Sequence, residues 1–396
     1  MLMLKEKWLS TSAKSVPTYA ITEIARFARK YEEKGLIYLN IGEPDFDTPE
    51  NIKEAAIRAI KEGKTHYTTD IGIAELREAI SQKLRRVNSV DYSPEDITVV
   101  SGSQEGIAVL SQTILDPGDE VIMSDPYYPS YYQNVLLRGA KPVFVKLSPE
   151  NGFEMKAEEI RKLVTPKTKA IIIVSPNNPT GGVQSHEELK QIAEIANEHD
   201  LLVISDEIYE YIVYEDAKHY SIASLPGMNE RTILQNGFSK AYAMTGWRIG
   251  YVATPPSITP KFQEIHRASV ICPPSISQYA ALEALKGPQD FVKRMVDEFK
   301  KRREFVVKRI REMSEVKVSE PKGAFYVFPD FGYYTCDDEK FAKELIREAG
   351  VVTVHGSAFG PSGKAHIRIS FAASMEKLEE GLNRIDAYLR TLKANH

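Results

Sequence analysis

The sequence predicts an α/β protein, with a large body built on a mostly parallel sheet flanked by helices and a smaller α+β unit after it. Three observations carry this. Between about residues 48 and 255, short β-branched runs alternate with amphipathic stretches at a spacing of roughly 30 residues, as βαβ units require. Ile171-Ile172-Ile173-Val174 and Leu201-Leu202-Val203-Ile204 are apolar without alternation, the pattern of central strands covered on both faces. At 396 residues the chain exceeds what one hydrophobic core holds, given about 150 residues per domain.

Taken in order, Thr48-Pro49-Glu50 opens a helix with a capping hydroxyl, a proline in the first turn and an acid near the positive helix end, and Gly63 is placed to close it. Strands are expected at Asp96 to Val100, Glu120 to Ser124, Ala170 to Val174, Leu201 to Ser205, Thr232 to Gln235 and Arg248 to Ala253. From about residue 288 the pattern becomes α+β. It comprises a long charged helix from about Phe291 to Met313, a strand from Gly323 to Phe328, a helix near Lys340, two further strands and a last helix from about Met375. No internal repeat or low-complexity tract interrupts it.

Composition narrows the function. The chain is 42% hydrophobic and 27% charged, an ordinary globular balance. Fifty-one basic against 55 acidic side chains give a net charge of -4, which supplies no positive field for nucleic acid or an anionic membrane. No stretch approaches the roughly 18 apolar residues of a membrane span, and Met1-Leu2-Met3-Leu4-Lys5-Glu6-Lys7 is too short an apolar run for a signal peptide, so a cytoplasmic location is expected. Two cysteines, Cys272 and Cys336, are too few for a disulfide framework or a four-cysteine zinc site.

In a parallel α/β sheet, ligands sit at the carboxyl ends of the strands. Four such ends stand out. Val99-Val100-Ser101-Gly102-Ser103-Gln104-Glu105-Gly106 runs from a strand through small residues into a helix, which aims backbone N–H groups and the helix dipole at a phosphate-sized spot; the same residues also make an ordinary capped turn. Neither G-x-G-x-x-G nor a P-loop pattern is present. Ser175-Pro176-Asn177-Asn178-Pro179-Thr180-Gly181-Gly182 follows an apolar strand and is compatible with a simple turn. In Ser205-Asp206-Glu207-Ile208-Tyr209, two carboxylates and a phenol follow a buried strand; a buried carboxylate there needs a cationic partner, the alternative being an exposed pair beyond the strand end. Lys240 lies between two strands among small and apolar residues, a setting that desolvates an amine and lowers its pKa, although a lone lysine is ordinarily a solvated surface charge.

Together these loops resemble a known family. Gly237 to Gly250 is similar to the pyridoxal-phosphate attachment pattern of class I aminotransferases. Asn178-Pro179-Thr180-Gly181, Ser205-Asp206-Glu207-Ile208-Tyr209 and Asn40-Ile41-Gly42-Glu43-Pro44-Asp45-Phe46 resemble that family's other motifs in its order. The resemblance runs from about Gly35 to the last helix. It implies the fold type I architecture: an N-terminal segment, 1–47, joining the small domain; a large domain, 48–287, that binds pyridoxal 5'-phosphate on a seven-stranded, mostly parallel sheet; and a small domain, 288–396.

Carried over motif by motif, the resemblance makes Lys240 the amine joined to the cofactor aldehyde and the carrier of the proton at the substrate Cα. Asp206 pairs with the pyridine nitrogen, and Tyr209 and Asn178 bond the ring 3' oxygen. The phosphate rests on Gly102, Ser103 and Gln104 with Arg248 as a cationic fork. Gly237 stands where many relatives have a serine, and Ser239 is the candidate replacement. Tyr128 stacks on the ring, with Tyr127 as the neighbouring alternative. Arg368 and the backbone of Gly42 hold the substrate α-carboxylate, whereas a bare reading of the alternating strand leaves Arg368 exposed. Tyr67 reaches the phosphate of a neighbouring subunit, which implies a homodimer. No metal is implied.

The implied reaction is ping-pong amino transfer from an L-amino acid to a 2-oxo acid such as 2-oxoglutarate. Acid-preferring relatives carry an extra cation, either an arginine in the stretch corresponding to Ile271-Cys272-Pro273-Pro274-Ser275 or a lysine at Gln104, and this chain has neither; Arg26, Arg267 or a partner residue are the possible substitutes. The apolar and aromatic content of Val16-Pro17-Thr18-Tyr19-Ala20-Ile21 favours an aromatic or broad range of donors, aspartate next. A carbon–sulfur β-lyase on the same fold is the alternative enzyme, and a non-catalytic binding protein the alternative class.

Overall fold

The computed structural model describes residues 8–215 and 217–393; Met1 to Lys7, which bear on the signal-peptide expectation, lie outside the described residues. Twelve strands are described: β1 Ile37–Tyr38, β2 Ile97–Val100, β3 Glu120–Asp125, β4 Lys141–Lys146, β5 Thr168–Val174, β6 Leu202–Asp206, β7 Thr232–Gly237, β8 Gly250–Ala253, β9 Tyr326–Val327, β10 Val351–Val352, β11 Val354–His355 and β12 Ile367–Ser370. Seven form the main sheet in the order β2-β8-β7-β6-β5-β3-β4. β8 runs antiparallel to both neighbours, and the other pairings are parallel.

Val174 pairs with Asp206, Asp206 with Gln235, and Gly237 with Gly250, so the ends of β5, β6 and β7 and the start of β8 share one edge of the sheet. The non-alternating runs behave as expected: Ile171 to Ile173 and Val203 to Ile204 are buried between helical layers.

β4 is additional to the strands expected from the sequence. Its Lys-Pro-Val-Phe-Val-Lys pattern is short, broken by proline and charged at both ends, which suits an edge strand and gives a weak signal. The Glu50–Lys61 helix is present, but Thr48 does not cap it. Its hydroxyl donates to Ala243 O at 2.6 Å and accepts from Trp247 Nε1 at 2.9 Å, tying the entry of the helix to the loop after Lys240 instead. Gly63 closes the helix in the left-handed region, at φ 71°, as read from the sequence.

In the C-terminal part the long helix is Asp290–Arg311, burying Phe299, Val306 and Ile310, and the last is Met375–Lys393. Of the strand expected over Gly323 to Phe328 only β9 is laddered; Gly323 forms an isolated bridge with Val213. The early segment is woven into this part. β1 pairs in parallel with β10, Leu39 donates to Val352 O, and Ser370 donates to Leu39 O, both at 2.8 Å. That pairing carries Asn40 to Glu43 across the edge of the main sheet, where they meet the loops from β2, β5, β6 and β7. No helix among the described residues is long and apolar enough to cross a membrane.

Candidate active site

A cavity of about 610 Å³ opens at this edge. Its wall brings together Gly42, Ser103, Gln104, Tyr128, Asn178, Asp206, Tyr209, Ser239, Lys240, Arg248 and Arg368, drawn from segments more than 320 residues apart.

Lys240 Nζ donates to Gly42 O at 2.5 Å and lies 5.9 Å from the ring of Tyr209 and 5.8 Å from that of Phe325. This desolvation lowers its pKa to about 8, Arg368 and Arg248 acting in the same direction and the Glu43 carboxylate against them. The solvated-lysine alternative therefore does not hold. A Cβ at Gly42 would stand 2.7 Å from Tyr326 Oη, so any larger residue there has to displace that buried phenol.

Asp206 ends β6 and is 5% exposed. Tyr131 Oη donates to Oδ2 at 2.7 Å and the Ile208 N–H to Oδ1 at 3.1 Å. Burial raises its pKa to about 6 against these bonds, which favour the carboxylate. The neighbouring Glu207 points the other way, accepting from Ser221 Oγ at 2.6 Å and Ser205 Oγ at 2.9 Å with His219 Nε2 at 3.0 Å. Both carboxylates are buried, so the exposed-pair alternative fails. Asp206 is partnered by neutral donors, and the cationic partner expected for it is not among the described residues. Glu210, one turn on, pairs with the buried amine of Lys83.

Arg368 on β12 is 2% exposed, not the exposed strand residue that alternation alone suggested. Its Nη1 donates to Asn178 Oδ1 at 3.0 Å and Nη2 to Asn40 O at 2.7 Å, while the guanidinium lies 4.5 Å from the ring of Tyr326. Its Nε is buried with no partner among the described residues, a donor left unsatisfied at the cavity. Tyr209 Oη and Tyr326 Oη are 2.9 Å apart, and burial holds the Tyr209 phenol well above its ordinary pKa.

Gly102, at φ 85°, caps the Ser103–Ile114 helix, and a Cβ on it would collide with the Arg248 guanidinium. The Gly102 N–H donates to Val100 O at 2.8 Å, which leaves Ser103 and Gln104 to present N–H groups at the helix start. Gly237 lies on β7 opposite Gly250, where a Cβ would stand 3.1 Å from Gly250 Cα and require the neighbouring backbone to give by a few tenths of an ångström; Ser239 is on the cavity wall. Tyr128 also faces the cavity, whereas Tyr127 stacks on Tyr132 and Phe144 at 4.9 and 5.4 Å. Tyr67 is apart from the cavity and 81% exposed.

Residues 34–385 match the model of class I and II aminotransferases. The chain belongs to that family. This aminotransferase is 46% identical to aromatic-amino-acid aminotransferase 2 of Thermococcus litoralis, over 91% of this chain and 93% of that protein. It is 47% identical to aspartate aminotransferase of Pyrococcus abyssi over the same shares, 91% and 93%. Among solved structures it superposes on the alanine aminotransferase of Pyrococcus furiosus with a TM-score of 0.92 at 38% identity, covering 97% of this chain and 100% of that one. Aspartate aminotransferase of Thermus thermophilus with maleate gives 0.91 at 39%, covering 96% and 99%. The fold is accordingly the fold type I aminotransferase architecture, and the activity is amino-group transfer.

Tyr131 and Tyr326 were not singled out from the sequence as site residues. Tyr326 lies in a segment read only as a strand, and its phenol meets Tyr209 across 117 residues of chain. Tyr131 sits one turn beyond the Tyr127-Tyr128 pair, on the Pro129–Leu137 helix, a spacing that would have been the available signal.

Proposed function

We propose that this aminotransferase binds pyridoxal 5'-phosphate in the cavity and transfers amino groups from aromatic or a broad range of L-amino acids to a 2-oxo acid such as 2-oxoglutarate. The observation that supports this most is the convergence of a desolvated amine near pKa 8, a buried acid near 6 and a buried guanidinium with an unspent Nε on one cavity. The donor set fits the group. Ser103 and Gln104 offer N–H groups beside Arg248 for a phosphate, and Asp206 offers a buried carboxylate for a pyridinium proton.

Bound there, the cofactor supplies a carbonyl for the amino group and a ring that takes up the electron pair left at Cα. Lys240, low in pKa, is suited to take the proton from Cα and return it. Asp206 would hold a proton on the ring nitrogen, and the Tyr209 hydroxyl and the Asn178 amide would bond the ring oxygen. Arg368, pinned by Asn178 and Asn40, would orient the α-carboxylate, and Tyr128 would stack on the ring. Exposed Tyr67 belongs to a homodimer contact in this reading, reaching the partner's site. The chain divides at 1–47, 48–287 and 288–396.

Donor preference follows from the wall. Its cations among the described residues are Lys240, Arg248 and Arg368, each with a task already; Arg26 and Arg267 are exposed elsewhere, and the side-chain end is formed by Tyr19, Ile21, Ala25 and Ile41. The names of the relatives speak for transfer over β-elimination. Mixing cofactor-loaded protein with single amino acids and following the cofactor absorbance is expected to give phenylalanine and tyrosine half-reactions about tenfold or more faster than aspartate. A fast aspartate reaction with none for phenylalanine would reverse that preference. Ammonia and pyruvate released from a β-substituted amino acid without a 2-oxo acid would point to the lyase instead.

A further inference from the structure

The turn leading into the Ser103–Ile114 helix is held from behind by a pair that the reaction itself does not use. The Ser101 N–H donates to Glu105 Oε2 at 2.5 Å, so this side chain reaches back from the first helical turn and fixes the Ser101-Gly102 backbone. A carboxylate there suits the helix dipole but repels an anion arriving at the same helix end. Its other oxygen, Oε1, lies 3.1 Å from Nε2 of His266, a fully buried ring on the Thr259–Val270 helix. Among the described residues neither ring nitrogen, nor Oε1, has a hydrogen bond, and neither side chain lines the cavity. An imidazole edge this close to a carboxylate, with both buried, sets a polar group against its charge and screens that charge at the helix start.

We propose that Glu105 and His266 are positioning residues for phosphate. Glu105 shapes the turn, and His266, set against Glu105 Oε1, screens its charge so that the Ser103 and Gln104 N–H groups receive a phosphate dianion. The inference rests on the cofactor reading above. It concerns only the phosphate, and pyridoxal, which lacks one, is the control ligand.

The test measures dissociation constants of pyridoxal 5'-phosphate and of pyridoxal by absorbance titration of the cofactor-free protein. His266→Asn is expected to weaken the phosphorylated ligand about tenfold or more while changing pyridoxal by less than about twofold. Adding Glu105→Gln, which removes the bare charge and keeps an oxygen for Ser101, is expected to restore binding to within about threefold of the parent. Equal losses for both ligands, no loss, or no rescue by the second change would overturn the proposal. If His266→Asn does not fold, Glu105→Ala against Glu105→Gln decides: alanine is expected to weaken the phosphorylated ligand about tenfold and glutamine not to, and equal effects would overturn it. Failure of the parent protein to bind pyridoxal 5'-phosphate would instead overturn the cofactor reading.

Discussion

Lys240→Ala is expected to lower amino-transfer turnover by at least about 10³-fold, since it removes the one low-pKa amine on the cavity wall among the described residues and general acid–base transfer alone is worth about 10² to 10⁴. The same change is expected to leave the cofactor-free fold as stable as the parent, or more so, at pH 7. The sign follows from burial. The folded amine titrates near 8 against an ordinary 10.5, so between those values the unfolded chain holds a proton that the folded one does not. The contribution of Lys240 to stability therefore rises with pH over that window, and below it the buried ammonium is a cost that alanine removes. Thermal unfolding of the cofactor-free variant checks this: a large drop in Tm beside the lost rate would mean that Lys240 is a structural residue.

Asp206→Asn is expected to lower turnover by about 10² or more, because asparagine cannot hold a proton on a ring nitrogen, while much of the cofactor binding survives. Here too stability moves opposite to activity. The folded carboxyl titrates near 6 against an ordinary 3.8, so the carboxylate carries a desolvation cost above pH 6 that is absent below the ordinary value. Two pKa units correspond to about 3 kcal/mol, and the cofactor-free variant is expected to exceed the parent by up to that amount at pH 7.5. The advantage should shrink as pH falls from 6 to 4. Asparagine keeps an oxygen for the Tyr131 hydroxyl but turns its NH2 towards the Ile208 N–H, and that lost bond offsets about 1 kcal/mol or more of the gain without depending on pH. Denaturant unfolding at pH 7.5 and pH 4 measures the difference; the same difference at both would mean that Asp206 does not titrate between them in the folded parent.

Much of this site is legible in the chain because its groups sit at the ends of strongly patterned strands. Ile171 to Val174 and Leu202 to Asp206 are apolar runs with no alternation, and the polar residues that follow have only one edge to occupy. Arg368 was harder. In an alternating strand its burial depends on Asn40, Asn178 and Tyr326 closing around it, and none of those contacts is local. Thr48 misled for a related reason: a hydroxyl before proline has the composition of a cap, but Trp247 and Ala243 offered it tertiary partners. The shape of the Gly102 turn was likewise hidden, because the N–H that looked ready for phosphate is drawn back to Val100. Side-chain convergence over long separations leaves little trace in spacing, whereas burial of a whole strand does.

In the proposed function the amine of Lys240 carries the cofactor. Cofactor-loaded protein treated with borohydride, digested and mapped by mass spectrometry tests it most directly. The expected result is a single pyridoxyl-bearing peptide modified at Lys240, and none in Lys240→Ala treated alike. Modification at Lys83 or a surface lysine, or no modification of protein that has demonstrably taken up the cofactor, would contradict the account.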